Sequence, residues 1–397
     1  MTVSLFASAP GHMCFAPMAS MKPAVQPLSR PAPEPPSMPF LAPETPLYYG
    51  LELEAKARLA IVNAFVNSPV ELTSVFLVRS CLGFGSNGCV LSARNIGLEG
   101  APKAVAIKVI YKSKVSKNEP APAEIDAARA LHGLPLLTAY VADWQDSHHH
   151  YLVTEIFGSN WEAAAPLPIG GGPLKPLVFK LTHEGEVKKL NLPFSAGSSD
   201  LWAFSQAHRA HMFKTQRHSY LPIEPVKHIL REMATALSQI HDKGYYHGDI
   251  KIENCLVRSN PSNPDAPSIR LTDLGHCKPA SAPISSYGTQ DVSPPEFLFD
   301  SPLAREQVDG RAADVFALGM CLYLLLNADG ELPRAVDAIR ARMVGYQDLL
   351  ARDEGRYPLD EIADLEESAW DLLHGMCRVN PADRLTIEQV LEHKWFC

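Results

Sequence analysis

Four short stretches carry residues whose types and order could do chemistry. Gly83-Phe84-Gly85-Ser86-Asn87-Gly88-Cys89-Val90 is followed by Val105-Ala106-Ile107-Lys108, by His247-Gly248-Asp249-Ile250-Lys251-Ile252-Glu253-Asn254, and by Asp273-Leu274-Gly275. Glycines without a Cβ let a turn bring its amides against anionic oxygens. A lysine on the strand after that turn adds a cation for phosphates, and an aspartate with an asparagine supplies the hard oxygen ligands that Mg2+ prefers. A second aspartate can receive the proton of an attacking hydroxyl. In this order the set is what phosphoryl transfer from ATP requires. The glycine pattern alone also fits a dinucleotide-binding turn, but a helix must follow there, and Cys89-Val90-Leu91-Ser92-Ala93 reads as a strand.

The elements that must position these residues follow from periodicity. Strand-like runs at 75–82, 89–94 and 104–111 place the glycine turn inside an antiparallel hairpin, and a helix then carries Glu124. His150 to Glu155 reads as a further strand, with Gly158 shortly after it. Val226, Ile229, Leu230, Met233, Ala236, Leu237 and Ile240 keep a 3.6-residue period into the segment of Asp249, and Asp314 to Leu326 is apolar nearly all round, which predicts a buried helix. Leu51 to Phe65 predicts a short amphipathic helix packed ahead of the first strand. The run 159–199 contains Gly170-Gly171-Gly172 and two apolar stretches around His183-Glu184-Gly185-Glu186, which predict a β-hairpin in a solvent-facing loop near the mouth of the cleft.

Composition bounds the rest. The 397 residues carry a net charge of -8, with 46% hydrophobic and 20% charged residues, a soluble globular balance that argues against a nucleic-acid-binding face. The longest nearly uncharged apolar run, Ala317 to Leu326, is too short for a bilayer, so no membrane association is expected. Eight scattered cysteines without Cys-x-x-Cys spacing, and no secretory signal, fit the cytoplasm or nucleus. Residues 1–46 hold eleven prolines, a density that predicts a disordered or extended tail. Within it Arg30, Pro33 and Pro36 have the spacing that SH3 domains read on a polyproline helix, and a solvated tail with chance spacing accounts for the same pattern. His148-His149-His150 is expected in a solvent-facing turn rather than at a metal. The chain ends at Cys397, which is expected to leave no room for a C-terminal inhibitory helix.

Together the motifs resemble the eukaryotic serine/threonine protein kinases, over roughly residues 71–397. The resemblance implies an α+β, bilobal fold: a small antiparallel β-sheet lobe with one key helix, and a larger, mainly α-helical lobe. On that pattern the chain divides into a proline-rich tail (1–46), a helical extension (47–70), the small lobe and hinge (71–158), an inserted segment (159–199) and the large lobe (200–397). It implies a monomeric enzyme with ATP and Mg2+ in the cleft, moving phosphate to serine or threonine hydroxyls of protein substrates. Asp249 would be the catalytic base, Lys251 would neutralise the moving phosphoryl, and Thr289 would touch both. Asn254 and Asp273 would hold Mg2+. Gly83, Gly85 and Gly88 would cradle phosphates, and Lys108 would pair with Glu124, with Glu119 as a rival. Leu82, Val90 and Ala106 above and Leu256 below would sandwich adenine, with hinge backbone at Glu155 to Phe157 and Thr154 as gatekeeper. Glu296 with Arg384 resembles a buried structural pair, Asp314 an aspartate that holds the catalytic loop, and Glu253 either a site for a substrate arginine or a solvated charge. The C-terminal pattern looks most like the calcium/calmodulin-kinase-related group, which includes the Pim-type kinases.

The chain departs from the family pattern at several positions. Gly248 stands where arginine is usual, Leu274 where phenylalanine is, Pro294 where alanine is, and Ala128 is small where a larger side chain packs. The thin contact predicts a loosened helix around Glu124. Gly248 predicts activity that does not depend on phosphorylation of Ser281, Ser285 or Ser286, since no guanidinium is there to grip a phosphate. The competing readings are a pseudokinase scaffold acting through the insert and tail, and a small-molecule kinase of related fold. Lys108, Asp249, Asn254 and Asp273 are all present, and a scaffold has no physical need of all four.

Overall fold

The computed structural model describes residues 3–5, 47–161, 174–183, 186–195, 198–216, 221–282, 284, 287–298 and 308–397. The Arg30–Pro36 motif, the triple glycine, Ser285 and Ser286 lie outside the described residues.

In chain order the small lobe contains strand β1 (Val3–Leu5), helix α1 (Leu53–Asn67), β2 (Phe76–Phe84), β3 (Gly88–Asn95), β4 (Ala104–Tyr111), helix α2 (Ala123–Ala130), β5 (Tyr140–Gln145), β6 (His149–Glu155), and the hairpin β7 (Leu177–His183) and β8 (Glu186–Leu192). Five strands form one antiparallel sheet in the order β2-β3-β4-β6-β5. Val90 lies opposite Lys108, and Ala106 lies opposite both Ser92 and Thr154. Alternate residues of a strand share a face, so Val90, Ala106, Lys108 and Thr154 project from the same side of the sheet. The other side buries Leu91, Ile107, Val109 and Val153 against Ala57, Ile61, Ala64 and Phe65 of α1, whose spacing puts them on one helical face.

The inserted hairpin is not a loop facing solvent. Leu177, Phe179, Leu181 and Leu192 are buried in the same small-lobe core as α1, and the Phe179 ring meets Phe65 edge-on at 5.4 Å. The alternation Leu177-Val178-Phe179-Lys180-Leu181 gives the hairpin one apolar face, and a buried face was available on α1 to cover it. Val3–Leu5 is a strand, paired antiparallel with Phe179–Leu181 to make a three-stranded sheet β1-β7-β8. The first proline is Pro10, so this segment escapes the constraint that the later prolines impose.

The histidine triplet is likewise not exposed. His149 is fully buried and His150 nearly so; the His149 Nε2 shares a 2.6 Å hydrogen bond with Tyr48 Oη. Asp146 organises the turn from inside, accepting the His148 and His149 amides at 2.7 and 2.8 Å. No group of three or more His, Cys, Asp or Glu side chains that could hold a metal occurs among the described residues.

The large lobe follows with α3 (Leu201–Gln216), α4 (Ile223–Asp242), β9 (Tyr245–Tyr246), β10 (Cys255–Arg258), β11 (Ser268–Leu271), β12 (Lys278–Pro279), α5 (Pro295–Leu298), α6 (Gly310–Leu326), α7 (Ala335–Arg340), α8 (Tyr346–Ala351), α9 (Glu367–Met376) and α10 (Ile387–Leu391). Val226, Ile229, Leu230, Met233, Leu237 and Ile240 are buried along one face of α4, which packs on the nearly fully buried α6. Asp309 caps α6 by accepting the Arg311 amide at 3.0 Å. The architecture is the α+β, two-lobed one: an antiparallel sheet with α2 above a mainly helical lobe. Among the described residues no helix is long and apolar enough to cross a membrane.

Candidate active site

The glycine turn joins β2 to β3, and its glycines answer to two different constraints. A Cβ at Gly88 would lie 2.5 Å from the Val109 carbonyl oxygen, so the sheet itself demands glycine there. A Cβ at Gly83 or Gly85 would meet no protein atom within 4 Å. Packing does not require those two, and the space they leave is a cradle that side chains would fill.

Lys108 extends from β4 to meet two carboxylates from different parts of the chain. Its Nζ donates to Glu124 Oε1 at 2.6 Å and to Asp273 Oδ1 at 2.8 Å. Burial alone would lower the ammonium pKa, and the two carboxylates outweigh it and raise it, so Lys108 stays charged. Burial would likewise raise the Asp273 carboxyl, and Lys108 outweighs it and holds that group below the usual carboxylate range. Glu124, not Glu119, is therefore the partner on α2. Ala128 and Leu274 are both buried, and α2 packs on the turn Leu274–His276. Asp273 itself adopts the left-handed conformation, φ 61°, uncommon for a residue with a side chain.

Asp249 is buried at the centre of a second network. Its Oδ1 accepts the Thr289 hydroxyl at 2.6 Å; its Oδ2 accepts Lys251 Nζ at 3.0 Å and Asn254 Nδ2 at 3.1 Å. Lys251 also donates to Thr289 Oγ1 at 2.8 Å. The Asn254 amide nitrogen is thus committed to Asp249, whose backbone carbonyl it also contacts at 2.9 Å, and Oδ1 is the atom it has left for a cation. Gly288 sits so close that a Cβ there would fall 2.5 Å from Asp249 Cγ.

The catalytic segment hangs from Asp314, fully buried on α6. That carboxylate accepts the amides of His247 at 2.7 Å and Gly248 at 2.9 Å, and His241 Nε2 at 3.0 Å. A fourth bond comes from a residue that the motifs did not flag. The Tyr287 hydroxyl donates to Asp314 Oδ1 at 2.9 Å and accepts the Ile250 amide at 3.0 Å, linking the segment before Thr289 to the loop of Asp249. Its place immediately before Gly288-Thr289 was the available signal, because a buried phenol needs a hydrogen-bonding partner. Below, Glu296 and Arg384 form a two-pronged ion pair at 2.7 and 2.6 Å with both side chains almost wholly buried.

The residues expected around adenine divide between the lobes. Leu82, at a bulge in β2, is exposed, Val90, Ala106 and Thr154 are half-buried on the sheet, and Leu256 is on β10. Glu155 uses its N–H on the Ala139 carbonyl at 2.9 Å, so any backbone bond from it to a base must come from its carbonyl. Phe157 is buried under the Arg258 and Arg270 guanidiniums, 4.0 and 4.8 Å from the ring centre. The insert leaves and rejoins the chain at one point here: Ser159 N–H binds the Val257 carbonyl at 2.9 Å, and Val257 N–H binds the Ser199 carbonyl at 2.7 Å.

Residues 201–396 match the protein kinase domain family model, beginning where the insert has ended. This half of the chain is similar to the protein kinase domain of serine/threonine protein kinases. It is 28% identical over 178 residues to serine/threonine-protein kinase SAPK6 of Oryza sativa subsp. japonica, covering 43% of this chain and 44% of that one. It is 29% identical to the meiosis-specific serine/threonine-protein kinase mek1 of Schizosaccharomyces pombe, covering 42% and 36%, and 26% identical to serine/threonine-protein kinase SRK2A of Physcomitrium patens, covering 44% and 47%. The chain spans less than half the length of these curated relatives.

Proposed function

We propose that this kinase transfers the γ-phosphate of ATP to serine or threonine hydroxyls of proteins, and that it does so without needing a phosphate on its activation segment. The observation carrying the reading is the simultaneous closure of both networks: Lys108 on Glu124 and Asp273, and Asp249 on Lys251, Thr289 and Asn254. A carboxylate has about four lone-pair sites, and three donors already engage Asp249. The place left suits a substrate hydroxyl, which Asp249 orients and whose proton it receives as the new O–P bond forms and the bond to the β-phosphate oxygen breaks. Lys251 lies where it can neutralise charge on the moving group, and Lys108 where it can hold the α- and β-phosphates. Asn254 Oδ1 and the Asp273 carboxylate fit the oxygen preference of Mg2+, which when bound neutralises phosphate charge. Gly83 and Gly85 leave room for phosphates at the turn.

Independence from phosphorylation rests on Tyr287. An uncharged hydroxyl joins the segment to Ile250 and Asp314, where a guanidinium and phosphate would otherwise do so, and Gly248 has no side chain to offer. The test is ADP release with Mg2+ and a panel of basic and acidic serine and threonine peptides. Wild type should turn over, and Asp249→Ala should lose about 10²- to 10⁴-fold while still binding ATP. Equal background turnover in both would favour a nucleotide-binding scaffold, and activity on a metabolite alone would favour a small-molecule kinase.

A further inference from the structure

Strand β2 is the edge of the five-stranded sheet, and its second half runs into the glycine turn. An edge strand presents unpaired amides and carbonyls. Here they are taken up by the insert on its way back to the hinge. The Cys81 amide donates to the Pro193 carbonyl at 2.9 Å, and the Ser195 amide donates to the Cys81 carbonyl at 2.8 Å, with Phe194 bridged parallel to Cys81 between them. The Phe194 ring then meets Phe84, the residue between Gly83 and Gly85, edge-on with centres 5.9 Å apart. Arg58 of α1 covers Phe194, its guanidinium 4.6 Å from the ring centre, and donates to the Lys175 carbonyl at 2.6 Å at the start of the hairpin. Two residues before Arg58 on α1, Lys56 Nζ reaches the Ser86 carbonyl at the tip of the glycine turn, 3.2 Å away.

These contacts come from two segments far apart in sequence and converge on one short turn. We propose that the insert and α1 form a brace that holds the glycine turn in its phosphate-cradling position, with Phe194 and Lys56 as positioning residues for a nucleoside triphosphate. A glycine-rich turn left to itself samples many backbone conformations, and the ordering entropy is lost when it closes on phosphates. A turn already held at Cys81, Phe84 and Ser86 loses less on binding, so the brace acts as preorganisation. It acts on phosphate groups, because the turn offers amides to anionic oxygens, and it leaves recognition of the base to the hinge.

The inference rests on the kinase reading above, and one set of titrations separates the two. Mg·ATP and adenosine are titrated calorimetrically into wild type, Phe194→Ala, Phe194→Leu and Lys56→Ala. Removing the edge-on contact should weaken Mg·ATP about three- to tenfold and leave adenosine unchanged. Phe194→Leu should fall between, and Lys56→Ala, which removes a half-buried side chain lying over the Tyr111 ring, should weaken Mg·ATP by about twofold and leave adenosine unchanged. In the peptide assay the KM for ATP should rise in step while kcat stays within about twofold. Equal losses for adenosine and Mg·ATP would mean that Phe194 only supports the fold, which overturns the brace. So would Mg·ATP affinity in both Phe194→Ala and Lys56→Ala equal to that of wild type. No Mg·ATP binding by wild type would overturn the kinase reading itself, and the brace with it.

Discussion

Replacing Phe179 by alanine tests whether the inserted hairpin is a pendant or part of the small-lobe core. Phe179 has no exposed surface, lies among Ile61, Phe65, Leu72 and Leu192, and stacks edge-on with Phe65 at 5.4 Å. Emptying such a site costs about 3–5 kcal/mol, with the edge-on aromatic pair part of that loss. With an unfolding entropy of about 2.1 cal/mol/K per residue, even cooperative melting of all 397 residues turns this into a drop of roughly 4–6 °C. Melting of the small lobe on its own would make the drop larger, because the same loss would act on a smaller entropy. The assay is differential scanning fluorimetry, with Val187→Ala as control, since Val187 on the same hairpin is 61% exposed and should change nothing. A Phe179→Ala protein melting within about 1 °C of the control would refute the packed hairpin.

Asp273→Asn should abolish the Mg2+-dependent part of the thermal shift caused by ATP, seen by comparing melting with ATP and with Mg·ATP. Arg384→Met strands the Glu296 carboxylate in a fully buried site and should cost about 3–5 kcal/mol in chemical denaturation, whereas Glu296→Leu with Arg384→Met should recover much of it. For Asp146, burial alone would raise the carboxyl, but hydrogen bonds from His149, Tyr151 and the His148 amide outweigh it and hold it well below the usual carboxylate range. Its stabilisation is therefore complete above an unfolded-state value of roughly 4 and fades as pH falls further, so the stability gap between wild type and Asp146→Asn, read by denaturation, should narrow below that pH. Phosphatase treatment should leave the initial rate with a peptide substrate nearly unchanged; a drop of tenfold or more would overturn the proposed independence from activation-segment phosphate.

Much of the site was legible because its information is local. The strands around the glycine turn showed in the alternation of apolar residues, α4 in its 3.6-residue period, and Glu124 in its distance from Lys108. What stayed hidden depends on partners far along the chain. Leu177, Phe179 and Leu181 announced an apolar hairpin face, but the surface covering it belongs to α1, more than a hundred residues earlier. Nothing local distinguishes a hairpin packed on a helix from one in solvent. His149 is buried because the Tyr48 and Tyr151 hydroxyls share hydrogen bonds with its two ring nitrogens, and the triplet alone carries no sign of either. Tyr287 was hidden for a related reason: its partners Ile250 and Asp314 lie on either side of it in sequence and meet only through the fold.

Gly248 joins these observations into one geometry. Its φ is +78°, and a Cβ there would lie 2.6 Å from the His276 carbonyl oxygen, inside the turn that follows Asp273. A side chain at this position would push on the Leu274–His276 turn and so on Asp273, which Lys108 holds. The missing arginine is therefore tied to a close approach between the catalytic loop and the Asp273 segment, and restoring arginine alone would disturb the site before it could grip a phosphate. With that route closed, the link from the activation segment falls to the Tyr287 hydroxyl, buried on Asp314. On the proposed reading, a phosphate on a nearby serine finds no guanidinium at position 248, and the Tyr287 bond to Asp314 is kept. A modification with no differential interaction between two states cannot shift their populations, which is the physical content of the proposed independence.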